Sequence, residues 1–275
     1  MNRSLAVGLV LVLLAGCNAP ASSTPAPTLT PVPLPEETAS SDRLAAGELA
    51  PGVDASGVTD AGRLARAHGT VLATSGYTVN QTLGQTYRNG TVESRYVTRA
   101  RFAAGAERFR ANLTQTDRVD GTLSTRYVER FADGQRVYEA VTSVTDRRYR
   151  VVRGPDGAPR SPVAFYPTNF TNEPAIARLF TLVETATTDR WVENGTQYVR
   201  VESRGRSSVP PLRNVTLEAT VAETGLVTDY RVEYDVVRGG AAVHVVVAVS
   251  YTAVGETTVE RPGWLDRVSV ANGTA

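Results

Sequence analysis

Between residues 77 and 252, apolar and polar side chains alternate along short runs, and Asn-Gly, Asp-Gly and Gly-Gly pairs punctuate the runs. "GYTVNQTLGQTY", "TVESRYVTRARF", "NVTLEATV" and "AAVHVVVAVSY" are the clearest cases. Successive side chains of a strand point to opposite faces, so a period of two gives one apolar face and one polar face. The pairs Asn89-Gly90, Asp120-Gly121, Asp133-Gly134, Asn194-Gly195 and Gly239-Gly240 suit two-residue hairpins, whose central positions need positive φ. Strands joined in this way make an antiparallel meander, with six strands before residue 172 and five or six after it.

The phase assigns sides. Tyr77, Val79, Leu83 and Tyr87 share one face, with Thr78, Asn80 and Thr82 on the other. Phe109 opposes Asn112 in the same way, and Val215 opposes Asn214. Two segments change to a helical period. Within Val53–Thr74, Thr59 or Asp60 can cap a helix whose stripe is Val58, Ala61, Ala65, His68 and Leu72. A second helix is expected over Glu173–Thr185, with Asn172 as N-cap and Pro174 in its first turn.

Composition removes several functions. The chain carries 29 basic and 28 acidic residues, a formal net charge of +1, which argues against nucleic-acid binding. All the basic residues are arginine, so lysine-dependent phosphate loops, Schiff bases and kinase chemistry are excluded. The single cysteine, Cys17, leaves no intrachain disulfide. His68 lies on a helical apolar stripe and His244 on a strand phase, and neither has a third ligand or a nucleophile at diagnostic spacing. No catalytic residue, metal ligand or cofactor site is read, and the chain is not expected to be an enzyme.

The N-terminus gives an address. Arg3 precedes the apolar run Leu5–Leu14, which is too short to span a bilayer and fits a signal-peptide core. Leu14-Ala15-Gly16-Cys17 then resembles the lipobox of prokaryotic lipoproteins. That resemblance implies removal of residues 1–16, a lipid on Cys17 and attachment to the extracytoplasmic face of the cell membrane. Residues 17–50 are rich in Pro, Thr and Ser and read as a disordered tether, leaving 51–275 as one domain. Seven of ten asparagines stand in Asn-x-Thr: Asn80, Asn89, Asn112, Asn169, Asn194, Asn214 and Asn272. These are acceptor sequences for glycans on exported proteins.

This order of parts, from lipobox and tether through helix, meander and mid-chain helix to final strands, resembles the LolA/LppX-like lipoprotein carriers. "PGVDASGVTDAGRLARAHGTVLATSGYTV" (51–79) and "GETTVERPGW" (255–264) are similar to segments of haloarchaeal surface lipoproteins of uncharacterised function. The resemblance implies a mainly β (α+β) fold: a strongly curved antiparallel sheet of about 11 strands, an unclosed barrel, with two or three helices as a lid. It also implies a hydrophobic ligand, such as a lipid, in the concavity. The inward candidates are Tyr77, Val79, Tyr87, Tyr96, Phe109, Tyr127, Leu179, Phe180, Tyr230 and Tyr234, and Phe131 shares that assignment. The same residues would also pack a filled core, and a structural or partner-binding surface glycoprotein without ligand is the alternative reading. The basic strand "DRRYRVVR" (146–153) fits either a solvated face or contact with an anionic headgroup.

Overall fold

The computed structural model of the chain describes residues 47–143, 146–165 and 171–271. Cys17, most of the expected tether, Asn169 and Asn272 lie outside the described residues. Three short strands open the fold: β1 (Glu48–Ala50), β2 (Val53–Asp54) and β3 (Gly57–Val58), paired antiparallel. They occupy residues expected to be tether and early helix. Helix α1 (Ala61–Thr74) follows, and the Asp60 carboxylate accepts from the Arg63 backbone N–H at 2.8 Å, as expected of an N-cap.

A first run of strands comprises β4 (Tyr77–Tyr87), β5 (Val92–Phe102), β6 (Arg108–Val119), β7 (Thr122–Asp133), β8 (Val137–Thr142) and β9 (Arg147–Val151). A one-turn helix α2 (Pro162–Phe165) and helix α3 (Glu173–Leu182) separate it from the second run. That run is β10 (Thr185–Glu193), β11 (Thr196–Ser203), β12 (Ser207–Val209), β13 (Leu212–Ala222), β14 (Val227–Arg238) and β15 (Ala241–Thr252). A last helix, α4 (Asp266–Ala271), ends the described chain. The second helix is thus shorter than expected, because Thr185 already pairs with Ser203 as the first residue of β10. None of the described helices is long and apolar enough to cross a membrane.

The twelve long-run strands form one antiparallel sheet in the order β10-β11-β13-β14-β15-β4-β5-β6-β7-β8-β9, with β12 added beside β13. The sheet is not closed into a barrel, and β10 and β9 are its edges. The two runs meet where the end of the chain returns to its beginning: β15 pairs with β4 from Val243↔Tyr87 to Thr252↔Thr78. Asp120-Gly121, Asn194-Gly195 and Gly239-Gly240 all take positive φ at both positions, as primed hairpin turns require.

Register assigns faces across the sheet. Tyr77↔Phe102↔Phe109 and Val79↔Tyr251 lie in rows on the face covered by α1 and α3. We call this the inner face. Val79, Phe109 and Val215 are buried there, whereas Asn80 is half-buried and Asn112 and Asn214 are exposed. At Asn214 the register shifts and φ is +53°, so a bulge turns its side chain outward. There it donates to Asp235 Oδ2 at 2.7 Å.

A second, smaller core sits on the outer face. Phe131 and Ala140 pack there against Trp264 and Val268 of the C-terminal segment. Two expectations are corrected by this. Phe131 is buried, but from the outer side. Tyr127 shares its phase, lies beyond the reach of α4 and is 55% exposed. In β7, Leu123, Tyr127 and Phe131 repeat on one phase and imitate a core stripe, while the smaller Val128 and Ala132 face inward.

Candidate functional site

The inner face has two differently built halves. Under α1 it is solid. Leu64, Ala65, His68 and Leu72 descend from the helix onto β4, β5, β6 and β15. Tyr77 stacks on Phe102 with centroids 5.0 Å apart, and Phe102 meets Phe109 at 5.4 Å. Burial pushes the Tyr77 and Tyr251 hydroxyls well above the usual phenol range, so both stay protonated.

His68 ties this half together. It is fully buried, with Tyr251 edge-on at 4.8 Å. The Val227 backbone N–H points at Nδ1 from 3.1 Å. A backbone N–H can only donate, so Nδ1 is the acceptor and Nε2 carries the proton, which it gives to the Thr171 carbonyl at 2.7 Å. One neutral tautomer satisfies both contacts. Burial lowers the imidazole pKa to about 4, outweighing the carbonyl's opposite pull. The Tyr251 hydroxyl donates to the same carbonyl and accepts from Asn172 Nδ2, both at 2.9 Å. The start of α3 is therefore pinned to the sheet by His68 and Tyr251. Gly69 allows α1 and α3 to approach closely: a Cβ there would stand 2.3 Å from the Glu173 carboxylate.

Beneath the rest of α3 the packing opens. A cavity of about 90 Å³ lies between the helix, the β12–β13 hairpin and the inner phase of β13, β14 and β15. Leu179, Leu182 and Val183 form its roof, with Val215, Tyr230, Val232 and Val247 below. Val209 to Leu212 close one side, and Tyr234 and Arg178 also line it. The lining is otherwise apolar. Burial raises the Tyr230 and Tyr234 hydroxyls above their ordinary range. Of the expected ligand residues, the cavity brings together Leu179, Tyr230 and Tyr234. Tyr77, Val79, Phe109 and Phe180 are buried within the core, Tyr87 is half-buried at its margin, and Tyr127 is on the other face. Val232, Val247 and the β12–β13 hairpin were not anticipated. The Pro210-Pro211 pair between two alternating runs was the available signal for the hairpin.

Further along the inner face the side chains turn polar. The Tyr96 hydroxyl donates to Asp117 Oδ1 at 2.5 Å, and Gln115 Nε2 donates to the other carboxylate oxygen at 2.6 Å. Near the β9 edge, Glu139 is buried and held by Arg130 at 2.8 Å and Arg150 at 2.7 Å. Burial alone would raise its pKa, but the two guanidinium groups outweigh it and hold the carboxyl below its ordinary value. Arg150 comes from the basic strand β9, whose Arg148 is exposed to solvent. On the outer face, His244 lies 3.0 Å from Asp235 and 3.5 Å from Glu233. Among the described residues, no group of three or more His, Cys, Asp or Glu is arranged to hold a metal. Asn89 and Asn194 are exposed at hairpin turns.

No protein-family model matches the chain, and no curated protein matches it by sequence. Among solved structures it is similar to a DUF1329 family protein from Desulfovibrio piger, at 8% identity and a TM-score of 0.28 over 74% of this chain and 95% of that one. It is also similar to the LolA superfamily protein NE2245 from Nitrosomonas europaea, at 8% identity and a TM-score of 0.25 over 74% and 95%. A third is an outer membrane lipoprotein-sorting protein domain from Vibrio parahaemolyticus, at 6% identity and a TM-score of 0.25 over 75% and 96%. The expected unclosed antiparallel sheet is present, with α1 and α3 on its inner face and α4 on its outer face.

Proposed function

We propose that this chain is an extracytoplasmic protein, held to the membrane through a lipid on Cys17, that binds a hydrophobic ligand under α3 as a carrier or sensor. The apolar cavity of about 90 Å³ between α3 and strands β13 to β15 carries the reading. Its size sets a condition. Pockets for drug-sized ligands run to about 300–1,000 Å³, and even benzene was accommodated in a cavity of about 150 Å³. A longer ligand therefore has to displace α3. That helix suits displacement. It has only 10 residues, Asn172 provides no side-chain cap, and isolated helices of that length are marginal. His68 and Tyr251 anchor its start, so movement is confined to the Leu179–Leu182 end. Glycans on the exposed sequon asparagines would stand outside the inner face and leave the cavity free.

The test is extraction of the purified chain with organic solvent and mass spectrometry of what is released. A lipid in stoichiometric amount is expected from the parent protein and not from Val232→Trp, which fills the cavity. Absence of lipid from a folded parent protein overturns the reading. The second reading is a partner-binding surface protein with a filled core, which the complete burial of Tyr77, Val79 and Phe109 favours. Cross-linking on cells to one dominant protein, without released lipid, would select it.

A further inference from the structure

On the outer face of the central sheet, two of three successive rows place a carboxylate on β14 and an arginine on β5, and the row between them has Arg231 on β14 and Val97 on β5. One row reads Asp229↔Ser250↔Asn80↔Arg99, on β14, β15, β4 and β5. Two residues along each strand, the next reads Arg231↔Ala248↔Thr82↔Val97. The third reads Glu233↔Val246↔Gly84↔Arg95. About the line between β15 and β4, each carboxylate of the outer rows has an arginine at the mirror position in the same row. Arg95 and Arg99 are exposed and make no side-chain hydrogen bond or ion pair among the described residues. Asp229 receives only the Thr220 and Thr228 hydroxyls. Glu233 is paired with Arg231 at 2.8 Å on its own strand.

Gly84 adds an independent observation. Glycine weakens a strand interior and often marks a place where another backbone comes close. Its φ lies outside the left-handed range, and a Cβ on it would meet nothing within 4 Å. No contact within the chain requires glycine there. Val246, at the mirror position in its row, is the side chain a second copy would set over it.

We propose that the outer face pairs with the same face of a second copy of this chain, about a two-fold axis parallel to the strands between β15 and β4. Such an axis exchanges the sides of the sheet and keeps the rows. Arg99 then meets Asp229 of the other copy, Arg95 meets Glu233, and Val246 covers Gly84, each contact made twice. The four strands, about 4.8 Å apart and paired over about eight residues at roughly 3.3 Å each, offer on the order of 500 Å² per copy. That is about 1,000 Å² in total, the lower limit for a specific interface, so the dimer is a weak one. Asn80 stands in the first row, so a glycan on it and the dimer exclude each other.

Sedimentation equilibrium of the purified, unglycosylated full chain in density-matched detergent tests this. A monomer–dimer equilibrium is expected in about 0.1 M NaCl, weakening in about 1 M NaCl, where charges are screened beyond about 3 Å. Arg99→Glu should weaken it at least about tenfold, because each copy then presents Glu to Asp229. Arg99→Glu combined with Asp229→Arg should return it to within about threefold of the parent. Gly84→Trp, which points into open space, should abolish it while leaving the far-ultraviolet circular dichroism and melting of the monomer unchanged. A parent chain that is monomeric at every concentration overturns the proposal. So does a dimer of unchanged strength in both Arg99→Glu and Gly84→Trp, or a charge swap that fails to restore it.

Discussion

The half of the inner face beneath α1 and the half beneath α3 come from the same alternating strands, yet one is solid and the other is hollow. Beneath α1, Tyr77, Phe102, Phe109 and Tyr251 interlock, and His68 fills the space above them. Beneath α3 the floor is largely valine, with Val215, Val232 and Val247 at positions an aromatic could occupy. The covers differ as well. Helix α1 has 14 residues and a side-chain cap, whereas α3 has 10 and none. A period of two fixes which side chains turn inward. Their size and the length of the helix above decide whether the interior closes.

The largest expected effect contrasts the two halves directly. Phe109→Ala removes a fully buried ring from an interlocked set and should cost about 3–5 kcal/mol. Val232→Ala, beside existing free volume, removes two methyl groups and should cost roughly 1–2 kcal/mol. Denaturant unfolding of both variants measures the difference. Equal costs would mean that the cavity is closed in solution and that the halves are packed alike.

A second effect belongs to the solid half alone. The folded pKa of His68 is lowered from 6.5 to about 4, so the unfolded chain binds its proton more tightly than the folded chain does. The associated stability is fully present above about pH 6.5 and is lost progressively as the pH falls to about 4. The shift corresponds to roughly 3 kcal/mol. Glu139, with its lowered pKa, adds loss in the same direction as the pH falls through the carboxylate range. His68→Gln should flatten the profile between about pH 6.5 and 4 while leaving the Glu139 limb below it. A profile as steep as the parent's would show that this imidazole is not buried neutral. Protonation at Nδ1 removes the acceptor of the Val227 N–H and leaves Nε2 donating to Thr171, so acid should loosen the start of β14, and hydrogen exchange at Val227 should rise with it.

These contrasts bear on what the sequence reveals. The strands, their turns and the sides of Val79, Phe109 and Val215 follow from local pattern, because each is set by neighbours one or two residues away. The pairing of β15 with β4 joins residues more than 150 positions apart, and no local signal specifies it. In β7 the i, i+4 repeat of Tyr127 and Phe131 resembles an inward core stripe. The repeat marks instead a second core that Trp264 and Val268 cover only at its Phe131 end. The candidate site was less legible than the fold. Tyr230 and Tyr234 are predictable from phase, but the β12–β13 hairpin reaches the cavity through a bulge and a Pro-Pro turn. Whether a valine floor is covered depends on where α3 ends, which the sequence misplaces by three residues because Thr185 leaves the helix for β10.

The smallest effect is the most discriminating, because it uses one substitution in both halves. Val→Leu adds a methylene. At Val79, fully buried in the row of Tyr251 and Ala100, the extra group has no space, and overpacking should cost about 1–3 kcal/mol. At Val247 the added group can extend into the cavity beneath Leu179. There, gained burial of about 0.8 kcal/mol offsets the lost β-branched fit to the strand, and the net change should stay within about 0.5 kcal/mol of zero. Thermal melting of the two variants beside the parent gives the comparison. The stability of Val247→Leu should also stop depending on added apolar ligand, since the ligand and the new methylene compete for one space. If Val247→Leu is instead as costly as Val79→Leu, the floor under α3 is as tightly packed as the floor under α1. The hydrophobic site would then have to form by a larger opening of α3.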